Sequence, residues 1–181
     1  MIYSFITDQD IEVAIKRYFL DQIISDATYT LKRAEAAAFS LIKSKLNSRY
    51  DLVQLFPPIK EYDKDKTYSL GEYCSKSDSI YKSKVANNTN TDPITNTDKW
   101  EPSDPRDALL VLHCANITVF YIVERINPRK ISEDIIDAYN RAVDWLDDVN
   151  RMREHPDFPL ITIPGGMEVK GGSNDPTQHY F

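Results

Sequence analysis

The sequence predicts a mainly α fold: a four-helix bundle with a small β-sheet insert between the second and third helices and an extended C-terminal arm. In four segments, apolar residues recur at three- and four-residue spacing, the pattern of helices that bury one face. This period disappears between Tyr62 and Pro102, where tyrosine, serine, threonine and asparagine favour short strands. Prolines and glycines crowd the chain after His155 and exclude a helix there.

The first two helices are predicted before the proline pair Pro57–Pro58. An acidic, capped start favours a first helix from Asp8, whose apolar stripe continues to Ile23. A second helix is predicted from about Asp26 to about Asn47, with three consecutive alanines of high helix propensity. The two prolines then stop any continuation, because proline lacks the backbone donor that a helix needs.

Two further helices are predicted after the insert. Ser103-Asp104-Pro105 favours a helix start, because proline is tolerated in the first turn. This third helix runs to about Ile126 and is apolar on nearly all sides, which predicts a central position in the bundle. Ser132 is the predicted cap of the fourth helix, whose periodicity is the clearest in the chain.

Composition and charge limit the classes of function. A hydrophobic fraction of 41% and a charged fraction of 28% are typical of a globular protein. A formal charge of -6 argues against a general nucleic-acid binder, because phosphate neutralisation needs a basic surface. The longest apolar stretch, Ala108–Val123, is shorter than the ~20 residues that cross a bilayer and contains His113. It therefore predicts a buried helix, and no membrane partner and no export signal are expected.

The residues with reactive side chains predict no catalytic site, no metal and no cofactor. Gly71 is the only glycine before Gly165, so a glycine-rich phosphate loop is missing. His113 lies on an apolar helix, where a core or interface histidine is favoured over a catalytic base. Cys74 and Cys114 have neither CxxC nor Cys/His spacing, which argues against a zinc site or a disulfide. An enzyme with an unrecognised acidic site is the remaining alternative to a non-enzymatic protein.

Two short motifs and the order of the helices carry a resemblance. The motifs are Ser48-Arg49-Tyr50-Asp51-Leu52, at the end of the second helix, and Tyr139-Asn140-Arg141-Ala142-Val143-Asp144-Trp145-Leu146, in the last helix. They resemble the head–tail connector (adaptor, or neck) proteins of tailed bacteriophages, including the Mu-like family with a similar Arg-Tyr-x-Leu. The resemblance covers residues 1–59 and 103–153 and implies a connector-type helical bundle without catalysis.

The same resemblance implies the partners and the location. It implies a homo-oligomeric ring, typically of twelve copies, at the neck of the virion, bound to the portal protein and to other neck or tail proteins after assembly in the host cytoplasm. DNA would pass through the lumen during genome ejection without specific binding. An acidic chain suits that passage, because it attracts phosphates poorly.

Residues 154–181 form the predicted C-terminal arm. It contains strand-like Ile161 and Ile163 and closes on His179, Tyr180 and Phe181. Aromatic side chains bury a large area at a low entropy cost, so these five residues are the predicted docking contacts with a partner. A tail without fixed structure is the alternative.

Residues 60–102 resemble a second family, the small chitin- and cellulose-binding β modules. The matching residues are Tyr68-Ser69-Leu70-Gly71-Glu72-Tyr73, Ile80-Tyr81-Lys82-Ser83, Pro93 and Trp100. The resemblance implies that Tyr68, Tyr81 and Trp100 mainly build the core of the module. Tyr73, Tyr81 and Trp100 are the residues predicted for a glycan or protein contact surface. Val85 and Ala86 stand where that family has tandem aromatics, so a projecting contact module is favoured. A carbohydrate-binding accessory protein that acts through weak glycan contact is the alternative function.

Overall fold

The structure is a computed structural model that describes residues 5–15, 17–126, 128–129 and 131–162, with the backbone alone for residues 17–30. The elements in chain order are α1 (Asp8–Ala14), α2 (Arg17–Leu46), α3 (Leu52–Leu55), β1 (Lys60–Glu61), β2 (Tyr73–Lys76), β3 (Ser79–Ser83), β4 (Trp100–Pro102), α4 (Ala108–Ile126) and α5 (Glu133–Asn150).

The prediction of a mainly α four-helix bundle is wrong. The described residues form five helices and a four-stranded mixed sheet, which is an α/β mixture. One reason is α3, whose single turn starts where the Asp51 carboxylate accepts hydrogen bonds from the backbone N–H groups of Val53 (2.9 Å) and Gln54 (3.3 Å). So short a helix leaves no periodic stripe in the sequence.

The first break between helices lies at Ile15, and the predicted break between Ile23 and Asp26 is wrong. Ile15 has an extended backbone, with φ -144° and ψ 140°, and ends α1. α2 then continues for 30 residues. The chain has neither glycine nor proline before Pro57, so no residue near Asp26 opposes a continuous helix.

α4 begins at Ala108, and the predicted start at Ser103–Pro105 is wrong. The Asp107 carboxylate accepts a hydrogen bond from the backbone N–H of Leu110 at 2.8 Å and satisfies a donor of the first turn. The central position predicted for this helix is confirmed, because α4 packs against α1, α2 and α5. By length and composition α4 could cross a membrane, but half of its apolar window is buried inside the protein, and a core helix meets the same test.

The four strands form one sheet in the order β1-β2-β3-β4. β1 pairs with β2 in parallel, and the other two pairs are antiparallel. Ser77 and Asp78 link β2 to β3 with φ of 49° and 61°, which suits the primed turns that match strand twist. The predicted turn at Ser69–Glu72 is confirmed: Gly71 has φ +80°, a conformation that glycine adopts without strain.

Arg106 ties the N-terminal segment to the link between the sheet and α4. Its side chain is only 5% exposed. The guanidinium donates hydrogen bonds to the backbone oxygen of Phe5 (2.7 Å), to Asp10 Oδ2 (2.7 Å) and to Asp104 Oδ2 (2.6 Å). These charge-assisted bonds hold α1 beside the start of α4.

Substituting Arg106 should therefore destabilise the helical part of the protein. For Arg106→Met we expect the free energy of unfolding in urea to fall by about 2 kcal/mol, because hydrogen bonds to charged groups contribute roughly 1.5–3 kcal/mol. Arg141→Met is the matched control, since Arg141 is exposed on α5 and should change stability by less than ~0.5 kcal/mol. Equal stability of the two variants would contradict this role of Arg106.

Candidate contact site

An apolar groove lies between α2 and the segment that follows α3. We call it the phenylalanine groove, and its volume is about 560 Å³. It is lined by Phe5, Lys32, Glu35, Ala36, Phe39, Phe56, Pro57, Pro58, Ile59, Lys60 and Arg106. The lining thus combines one face of α2 with the N-terminal segment and with residues 56–60.

Three half-buried phenylalanine rings make up the apolar part of the groove. The rings of Phe5 and Phe39 are stacked with centroids 5.3 Å apart. Phe56 meets both edge to face, at 5.0 Å from Phe5 and 4.8 Å from Phe39. Such pairs are favourable beyond their buried area, so the three rings support each other in a preformed arrangement.

Charged groups surround these rings. Lys32 and Lys60 are exposed, whereas Glu35 is only 6% exposed and its Oε1 accepts a hydrogen bond from the backbone N–H of Ile6 at 3.3 Å. Arg106 is held by its bonds to Phe5, Asp10 and Asp104. The described lining contains no cysteine, histidine or serine. Its chemistry is therefore that of a site for apolar or aromatic side chains with a cationic edge.

The chain after α5 folds back onto the end of α2. The backbone N–H of Asp51 donates to the oxygen of Pro159 at 2.8 Å, and the N–H of Ile161 donates to the oxygen of Arg49 at 2.9 Å. Phe158 is buried, with its ring centroid 5.4 Å from that of Tyr50 and 6.2 Å from that of Trp145. We call residues 156–162 the C-terminal segment.

The predicted docking residues of the arm fall in two groups. Ile161 lies at the end of the C-terminal segment, where its backbone is bonded to Arg49 and its side chain is 43% exposed. Ile163, His179, Tyr180 and Phe181 lie outside the described residues.

The sheet separates the three residues predicted as a contact surface of the insert. Trp100 is 1% exposed, and its Nε1 donates to the backbone oxygen (2.8 Å) and the hydroxyl (3.1 Å) of Thr91. Tyr81 pairs with Cys74 and packs on the same core, which contains Tyr68, Cys74 and Trp100. Tyr73 is next to Cys74 on β2 and so points to the opposite face. The three rings therefore form no common surface, and Trp100 offers no face to a ligand.

The two cysteines and His113 are buried. Burial raises the pKa of the Cys74 thiol to about 12, and it also raises the pKa of the Cys114 thiol. The His113 ring packs against Trp145, tilted by 32° with centroids 4.7 Å apart, and neither ring nitrogen has a hydrogen-bond partner among the described residues. Within the described part of the chain, no three His, Cys, Asp or Glu side chains are grouped to hold a metal ion.

Comparisons with known proteins add no relative, since no family model, curated protein or solved structure matches this chain.

The sequence reasoning did not identify the groove. Phe39 lies beside the predicted stripe of α2, Phe56 directly precedes two prolines, and Phe5 belongs to a short apolar run before α1. Two features of the sequence point to these rings: one aromatic residue lies at the margin of an apolar helical stripe, and another directly precedes the prolines that end the helical region. Neither signal shows that the rings converge.

Burial of His113 should make stability depend on pH. Burial lowers the pKa of His113 below its usual value of 6.5, and the nearby Asp107 carboxylate opposes this shift. The unfolded chain then binds a proton at His113 more tightly than the folded protein does. The contribution of His113 to the free energy of unfolding is therefore full above pH 6.5 and is lost as the pH falls below 6.5. We expect the urea midpoint to drop between pH 7.5 and pH 5.5, and His113→Leu to reduce this drop.

His155→Gln is the control for that experiment, because it removes an exposed histidine. It should leave the pH dependence as in the unaltered protein. A drop that persists in full in His113→Leu would assign the pH dependence to other groups.

The placement of the insert rings also predicts a result with polysaccharides. Because Tyr73 and Tyr81 lie on opposite faces and Trp100 is buried, we expect no retention of the protein on insoluble chitin or cellulose in a pull-down assay. Retention that is lost in Tyr73→Ala, but kept in the control Ser79→Ala on the other face, would contradict this expectation.

Proposed function

We propose that this chain is a structural subunit of a tailed-phage head–tail connector. In this role it forms a ring that joins the portal protein to the tail and leaves a passage for DNA. The five-helix α/β mixture departs from the four-helix bundle that was expected, so the proposal depends on the sequence motifs and on the contact surfaces.

The observation that carries the proposal is that the two resembling motifs meet at one point. Tyr50 belongs to the first motif and Trp145 to the second, and the Phe158 ring packs edge to face on both. In the first motif, the backbones of Arg49 and Asp51 also hold the C-terminal segment. Together the motifs fix the place where the chain leaves the helical part, which is useful in a protein that acts through an extended contact arm.

The contacts between α2 and α5 support the same junction. Lys45 forms an ion pair with Asp147, and the Ser48 hydroxyl donates to Asn150 Oδ1 at 3.2 Å. The buried face of α5, with Ala142 and Leu146, belongs to the second motif. A contact arm anchored on two joined helices keeps a defined exit point, and the open phenylalanine groove offers an apolar surface for another chain.

The carbohydrate-binding alternative receives no support from the insert. Its expected ligand platform needs several exposed rings on one face, and the register of β2 and β3 separates Tyr73 from Tyr81. We therefore assign no second function.

The experiment is imaging of the full chain by electron microscopy, alone and mixed with the portal protein encoded beside it. We expect closed rings seated on one face of the portal ring, and mass photometry should give one defined copy number. Phe158→Ala should lower ring occupancy on the portal, because it removes the ring that the two motifs share. Asp157→Ala is the control, since Asp157 is an exposed neighbour.

Only monomers in both samples, at micromolar concentration, would count against the proposal. A genome in which portal, capsid and tail genes are absent from the surroundings of this gene would also contradict it.

A further inference from the structure

We propose that the phenylalanine groove receives residues 163–181 from a neighbouring copy of this chain. This inference rests on the proposed function, since it requires that copies stand side by side. It adds the particular contact that would join one subunit to the next.

The groove has the size and the chemistry for an aromatic ligand. Its volume of about 560 Å³ lies within the roughly 300–1,000 Å³ of pockets that bury small ligands. Residues 163–181 contain two adjacent aromatic residues, Tyr180 and Phe181. A ring that enters the groove would extend the edge-to-face contacts that Phe56 already makes with Phe5 and Phe39.

The charges of the two surfaces are complementary. Lys32 and Lys60 are exposed beside the rings, whereas the Arg106 guanidinium is occupied by its own carboxylate partners. Residues 163–181 carry two acidic residues, Glu168 and Asp175, against one basic residue, Lys170. An acidic segment therefore meets a groove with a cationic edge, which favours the association.

The direction of the C-terminal segment favours a neighbouring copy over the same chain. Pro159 is bonded to Asp51 and Ile161 to Arg49, so the segment runs antiparallel to residues 49–51. The chain at 49–51 leads onward to α3 and Phe56, so residues 159–161 run away from the Phe56 side of the groove of their own chain. Fully extended at ~3.3 Å per residue, residues 163–181 would span about 60 Å, enough to reach an adjacent subunit.

Photocrosslinking of mixed copies tests the origin of the bound segment. Benzoylphenylalanine is placed at position 181 of the full chain, and ¹⁵N-labelled and unlabelled chains are mixed before assembly, with and without portal protein. We expect crosslinks to peptides that contain Phe39 or Phe56, with many of them joining a labelled to an unlabelled peptide. Crosslinks that join only peptides of the same isotope would identify the same chain as the donor and overturn the proposal, as would crosslinks confined to other surfaces.

Two neighbouring alanines provide a matched pair of variants. Ala36 and Ala37 are both exposed on α2, but only Ala36 lines the groove. Glutamate keeps high helix propensity at either position, so both variants should fold. Ala36→Glu fills the groove with a polar side chain that repels an acidic segment, and we expect the isotope-mixed crosslinks to fall about tenfold or more. Ala37→Glu should retain them, and equal yields in the two variants would overturn the proposal.

The same samples separate this inference from the proposed function. Rings that form on the portal without isotope-mixed crosslinks in the groove would overturn the docking and leave the connector function standing. Isotope-mixed crosslinks in a chain that never joins the portal would support the docking and count against the connector function.

Discussion

Helix α4 sets the arrangement of the other helices, because its apolar side chains need cover on most sides of the helix. Leu110, Cys114, Ile117 and Ile122 are all at most 1% exposed, and α1, α2 and α5 each supply part of the cover. α1 has only seven residues, too few to be stable alone in water. Its position thus depends on packing against α4 and on the hydrogen bonds of Arg106, and Phe5 in the groove depends on the same contacts.

The elements that could be predicted from the sequence are those whose signal is local and repeated. The start of α5 directly after Ser132 and the turn around Gly71 follow from periodicity and from the residue types at these positions. Ser132 stands at the N-cap position, but its side chain makes no capping hydrogen bond, so that part of the prediction is wrong. The break at Ile15 and the helix start after Asp107 could not be predicted, because single backbone and side-chain conformations decide them. The one-turn helix α3 was missed for the same reason.

The candidate site was less predictable than the fold. Phe5, Phe39 and Phe56 are far apart in the sequence, and only the packing of the N-terminal segment and of residues 56–60 against α2 brings their rings together. The strand alternation at Tyr73 and Tyr81 depends on register, which pairs Cys74 with Tyr81. The prolines around Phe158 predict an extended arm there, yet Phe158 is buried between Tyr50 and Trp145.

The register of the sheet has a mechanical consequence for the whole chain. Lys60 pairs with Cys74, Cys74 with Tyr81 and Tyr81 with Pro102. Lys60 on the first strand and Pro102 on the last strand therefore lie in one row of paired residues, at opposite edges of the sheet. β4 runs in the same direction as β1, since one parallel pair is followed by two antiparallel pairs. The sheet therefore shifts the polypeptide sideways by three strand spacings, about 14 Å, without reversing it. It acts as a spacer of fixed width, and a shortened protein that lacks it would need a linker of about four or more extended residues to restore the same offset.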